Sequence, residues 1–148
     1  MVNFIESLKK GIDAAQKAEE NREEINSVFR ALNEQLHEAF EGKVEISTFT
    51  KSSPFSALMA LSGDVKAAPL TFLGAINPLA EHKAPKELAR WKMDPNGYPC
   101  QIITSEFEFY CENKQGLENG LQELLSSPIV GEHIYKLIKL PAKPETPF

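Results

Sequence analysis

The stretch WKMDPNGYPCQIITSEFEFYC, residues 91–111, decides how the middle of this chain folds. Asp94-Pro95-Asn96-Gly97 is a dense turn signal. Pro95 pre-sets its backbone angle, Asn96 suits the next position, and Gly97 accepts the left-handed conformation. A type I turn closed by a glycine bulge sets Asp94 opposite Tyr98, Trp91 opposite Gln101 and Lys92 opposite Cys100. A second reversal is encoded in phase. The even positions Tyr98, Cys100 and Ile102 are apolar, and then the odd positions Phe107, Phe109 and Cys111. Side chains alternate with period two, so one strand cannot bring both sets to one face. A hairpin reversing at Ser105-Glu106 can. It pairs Thr104 with Phe107, Ile102 with Phe109 and Cys100 with Cys111.

With that register, Trp91 shares a face with Ala89, Met93, Pro99, Ile103 and Tyr110. Both faces of the hairpin pair then carry apolar residues. Trp91, Met93, Ile103 and Tyr110 form the expected interaction surface, because a clustered apolar patch marks a contact site unless a helix of the same chain covers it.

Upstream, residues 3–41 read as helical. Phe4, Ile5, Leu8, Ile12 and Ala15 make one stripe, and Ile25, Val28, Phe29, Leu32, Leu36 and Phe40 another. Asn3 is placed to cap the start and Gly42 to follow the end. Between the stripes lies QKAEENREE, residues 16–24, without Pro or Gly. The lack of a breaker favours one long helix over two broken near Asn21. Such a helix is too long to bury on so small a domain, so it is expected to project and to dimerise.

KVEISTFT (43–50) alternates as a half-buried strand. FSALMALS (55–62) is a buried strand or a short helix, Ser62-Gly63-Asp64 a turn, and PLTFLGAI (69–76) a further strand. Residues 77–86 read as a loop. Downstream, Asn113 caps a helix carrying Leu117, Leu121 and Leu124. Ser127-Pro128 opens another, with Ser127 as its cap and Ile129, Val130, Ile134, Leu137 and Ile138 on its buried face. The order predicts an α+β domain over 1–140. It has a mainly antiparallel sheet of five to six strands, one or two N-terminal helices and two C-terminal helices. Residues 141–148 read as a disordered Pro-rich tail. The coarse element order is similar to that of small dimeric secretion chaperones, in topology alone and with no shared motif.

Composition narrows function by exclusion. The net charge of −5 lacks the basic bias of a nucleic-acid binder. No apolar run is long enough to span a bilayer, and the first residues lack the apolar core of a signal peptide. Two cysteines without a CxxC spacing read as reduced, buried thiols of a cytoplasmic protein.

Catalytic, cofactor and metal motifs are not found. His37 has Glu34 and Glu41 beside it, but a single Glu-x-x-His is half of a di-iron signature. Cys100 and Cys111 have no histidine close in sequence to complete a metal site. Gly116 and Gly120 lie inside a helical pattern and lack the P-loop lysine. His133, beside Glu132, sits on the last helix. The expectation is a non-enzymatic protein-interaction module, of adaptor, chaperone or inhibitor type, acting as a homodimer. The alternative is a small enzyme or ligand-binding domain with a cleft near His82 and the Asp94–Gly97 turn.

Overall fold

The computed structural model describes residues 2–51 and 70–142. The segment FSALMALS, the turn after it, Pro69 and residues 143–148 of the Pro-rich tail lie outside the described residues. A single helix, α1 (Phe4–Ala39), comes first. It is followed by β1 (Glu45–Lys51), β2 (Leu70–Ile76), β3 (Lys86–Asp94), β4 (Gly97–Ile103) and β5 (Glu108–Cys111), and then by α2 (Lys114–Ser126) and α3 (Pro128–Ile138). The five strands form one antiparallel sheet in sequence order. This is an α+β fold, as the segregation of strands and helices predicts.

α1 runs unbroken for 36 residues, about 54 Å at the helical rise. Asn3 accepts hydrogen bonds from the N–H groups of Ile5 and Glu6, satisfying two of the four donors that a helix start leaves unpaired. At the other end Glu41 and Gly42 both take positive φ, 56° and 76°, and the Gly42 N–H donates to the carbonyl of His37. Asn113 caps α2 through Gly116 N–H at 2.8 Å. Ser127 precedes α3 with Pro128 at its first turn, but its side chain makes no capping bond. Its carbonyl accepts from Gly131 N–H instead.

The second hairpin has the expected register: Cys100 faces Cys111 and Ile102 faces Phe109. The Thr104 hydroxyl closes its turn, accepting from the N–H groups of Glu106 and Phe107 while Thr104 N–H donates to Phe107 O. A side-chain acceptor thus does what Ser-Glu as a turn dipeptide does poorly.

The first hairpin corrects the sequence reading. Asp94 faces Gly97 across a two-residue turn, and the register shifts between Met93 and Asp94, leaving Tyr98 and Pro99 as extra residues on β4. Trp91 therefore faces Ile102, and Met93 rather than Lys92 faces Cys100. A one-residue slip exchanges the two faces of a strand. Trp91 moves to the face shared with Cys100, Ile102 and Phe109, while Ile103 and Tyr110 stay on the opposite face.

That shared face is the core. Ile46, Leu73, Ala75, Ala89, Trp91, Cys100, Ile102 and Cys111 meet Ile25 and Val28 of α1, Leu117, Leu121 and Leu124 of α2, and Val130 and Leu137 of α3. A bulge opposite Leu73/Gly74 leaves Leu88 without a ladder partner, and Leu88 and Ala89 are both buried. On the outer face Phe49 stacks on Phe72 at 5.7 Å. Gly74 permits this: a Cβ there would stand 2.8 Å from the Phe49 ring.

Two asparagines tie loops and edges to helices. The Asn33 side chain accepts from Ile46 N–H at 2.9 Å and donates to Ile46 O at 2.8 Å, satisfying backbone groups that β1 does not share with β2. Asn77, 2% exposed, donates to Leu137 O at the end of α3 and accepts from Leu79 N–H. Ala80 then bridges to Ala142, so the first residues after α3 are paired with the β2–β3 loop.

The β3–β4 turn meets the middle of α1. Gly97 has φ 91°, and a Cβ on it would lie 2.7 Å from Asn21 Cβ and 3.2 Å from the Arg22 backbone nitrogen. Gly97→Ala combines left-handed strain with a clash against a helix, which costs on the order of 2–4 kcal/mol. Urea unfolding is expected to show a lowered midpoint with that loss of stability. A change within about 0.5 kcal/mol, the ordinary scatter of surface substitutions, would contradict the contact.

Candidate interaction surface

α1 divides into a docked part and an arm. From Asn21 onward it is held on the sheet. Asn21 Nδ2 donates to Asn96 O at 2.9 Å, Arg22 donates to Pro95 O at 2.7 Å, and Tyr98 O–H donates to Glu24 Oε1 at 2.8 Å. The phenol of Tyr98 is held above its ordinary pKa by burial and by this bond to a carboxylate. One turn further, Phe29 meets Trp91 edge-on with ring centroids 5.5 Å apart, a favoured aromatic geometry. The polar run 16–24, featureless as a pattern, therefore supplies the side chains that seat the turn.

Residues 4–17 project beyond that seat for about 21 Å, and every one of them is exposed. Local sequence keeps the arm helical. Ala14, Ala15 and the glutamate and lysine positions are strong helix formers. Glu6 with Lys10, and Asp13 with Lys17, have the i,i+4 order that favours helix. Its apolar stripe lies open, with Phe4 76% exposed, Ile5 61%, Leu8 60% and Ile12 49%. At 100° per residue this stripe is centred roughly a quarter turn around the helix from the core-facing line of Ala18, Ile25, Leu32 and Leu36. The arm stripe is a separate face and not an extension of the core.

The four residues expected to form a surface do not converge. Trp91 is 5% exposed and covered by α1 of the same chain. Met93, on the same face near the end of the central strand β3, is 42% exposed. Ile103 is half-buried on the outer face, and Tyr110, 58% exposed, lies two strand positions away on that face. The exposed stripe of the arm is the larger apolar feature. Its spacing was visible in the sequence; its exposure depends on where the β3–β4 turn seats the helix.

The cleft reading names His82 and the Asp94–Gly97 turn. His82 is exposed in the β2–β3 loop. The Asp94–Gly97 turn spends two of its carbonyls on α1 and closes itself with an Asn96 N–H bond to Asp94 Oδ1. His37 packs over Gly42, beside an open depression of about 680 Å³ whose rim includes Arg30, Glu34, Glu38 and Glu45. Glu132 pairs with Lys136 at 3.1 Å in water, and His133 is half-buried. Among the described residues no three metal-ligating side chains cluster, and no helix is long and apolar enough to cross a membrane.

Cys100 and Cys111 are free, cross-strand and buried. The hydrogen bond that the two thiols share, and then burial, raise the Cys100 thiol well above the usual range. A buried thiol in this state is a poor nucleophile. The same bond lowers Cys111, against its burial, so it is enclosure that keeps a reagent from Cys111. A Cβ at Gly120 would stand 3.3 Å from the Cys111 sulfur, so α2 is packed directly over Cys111. Ellman's reagent is expected to react with neither thiol in the native protein and with both after denaturation. Rapid native labelling would overturn the buried assignment.

Comparison with known protein families, with curated proteins and with solved structures finds no match.

Proposed function

We propose that this protein is a non-enzymatic protein-interaction module, of adaptor, chaperone or inhibitor type, that works as a homodimer through its N-terminal helix. The observation that carries this is the projecting arm of α1 with its open stripe Phe4, Ile5, Leu8 and Ile12. Contiguous apolar surface of this kind on an ordered element marks a contact site. The remaining features agree with it. The polar groups around the β3–β4 turn serve packing, and the buried thiols fit a reducing, cytoplasmic setting.

The energetics allow a second copy to be the partner. Covering the exposed part of each stripe residue contributes on the order of 1–2 kcal/mol. A symmetric pair covers two sets, which together exceed the lower estimates of association cost, about 4 kcal/mol. The Ile5, Leu8, Ile12 and Ala15 spacing of three, four and three is that of a coiled-coil seam.

Multi-angle light scattering on the eluting protein at micromolar concentration is expected to give twice the chain mass of 16.5 kDa. The double substitution Leu8→Glu, Ile12→Glu is expected to give a monomer whose denaturant midpoint, followed by Trp91 fluorescence at low concentration, is unchanged. A clean wild-type monomer at that concentration would refute the dimer.

A further inference from the structure

We infer that two copies pair their arms antiparallel, Ile5 of each lying against Ala15 of the other and Leu8 of each against the other's Ile12. This rests on the dimer reading above and commits its geometry. The first observation is a size gradient along the arm. The bulky residues of the exposed face are Phe4, Ile5 and Leu8 at its beginning and Ile12 in its middle, and beyond Ile12 the face carries only the small Ala15. All of these, with Gly11, are on one side of the helix by the 100° step. Gly11 has open space where a side chain would stand: a Cβ there has no heavy atom within 4 Å. Antiparallel pairing sets Ile5 near the partner's Ala15, with Leu8 facing the partner's Ile12, so that large meets small at both ends of the contact. Parallel pairing stacks bulk on bulk at one end and leaves the small residues facing a gap at the other, which close-packed contacts do not tolerate.

Charge points the same way. Just past the arm lie Glu19 and Glu20, an acidic pair, whereas Glu23 is paired with Arg30 at 3.2 Å and Glu24 accepts from Tyr98 O–H. In a parallel dimer the two acidic pairs run side by side, like charge on like charge, which is unfavourable at close approach. In the antiparallel dimer they lie at opposite ends. Each then falls beside the partner's helix start at Phe4, where the helix dipole and the N–H groups that Asn3 does not bond favour negative charge. The opposed dipoles of the two helices add in the same sense.

Two substituted chains test this against the native background, in which Cys100 and Cys111 are buried. Ile5→Cys and Ala15→Cys, carrying tags of different mass, are mixed, equilibrated and treated with a short bismaleimide under native conditions. The expected product is the cross-linked heterodimer, with little self-cross-linking of Ile5→Cys alone and none of the wild type. Efficient self-cross-linking of Ile5→Cys with no mixed product would establish a parallel pair and overturn the inference while leaving the dimer intact. No cross-link in either mixture, from protein that light scattering shows to be dimeric, would place the interface off the arm and overturn it as well. A monomer by light scattering would instead sink the dimer itself.

Discussion

The contact between the β3–β4 turn and the middle of α1 sets the rest of the structure. Gly97 supplies both requirements at once: a left-handed backbone for a tight turn, and no side chain where Asn21 and the Arg22 backbone approach. Asn21 and Arg22 then bond the two carbonyls that the turn exposes. This fixes where along its length the helix meets the sheet. Everything C-terminal to that point is driven into the core by Ile25, Val28 and the Phe29–Trp91 pair. Residues 4–17, N-terminal to it, are all exposed. The arm is a consequence of where the turn binds, given a helix of 36 residues.

The same contact explains which parts of the fold were legible in the sequence. The second hairpin was readable because the apolar phase switches between Ile102 and Phe107, and only a reversal reconciles the two phases. The continuity of α1 was readable from the absence of any breaker in 16–24. The first hairpin was misplaced by one residue. Its turn dipeptides suit two closures, and the one adopted depends on residues more than seventy positions earlier, Asn21 and Arg22, which local turn chemistry does not contain. That single residue carried Trp91 from an expected surface into the core. Asn33 and Asn77 were invisible for the same reason: each acts through long-range bonds to backbone, and nothing beside them in sequence predicts the partner. The arm's stripe was evident as spacing, but its exposure was not, since spacing alone does not say where a sheet ends.

The division of labour among polar residues bears on function. Tyr98, Arg22, Asn21, Thr104 and Asn113, which as residue types belong to many active sites, are here bonded to carbonyls, N–H groups or Glu24 that the fold itself must satisfy. The two thiols are buried, Cys111 directly under α2. Among the described residues, the strongest feature left without a structural use is apolar: the exposed face of the arm.

The most direct measurement is therefore amide hydrogen exchange along α1 as a function of protein concentration. If the arm is the dimer contact, amides of residues 8–17 will be protected at tens of micromolar and lose that protection on dilution. Those of residues 25–36 will stay protected throughout, because they belong to the core. Equal exchange in the arm at all concentrations, with residues 25–36 still protected, would contradict the central claim.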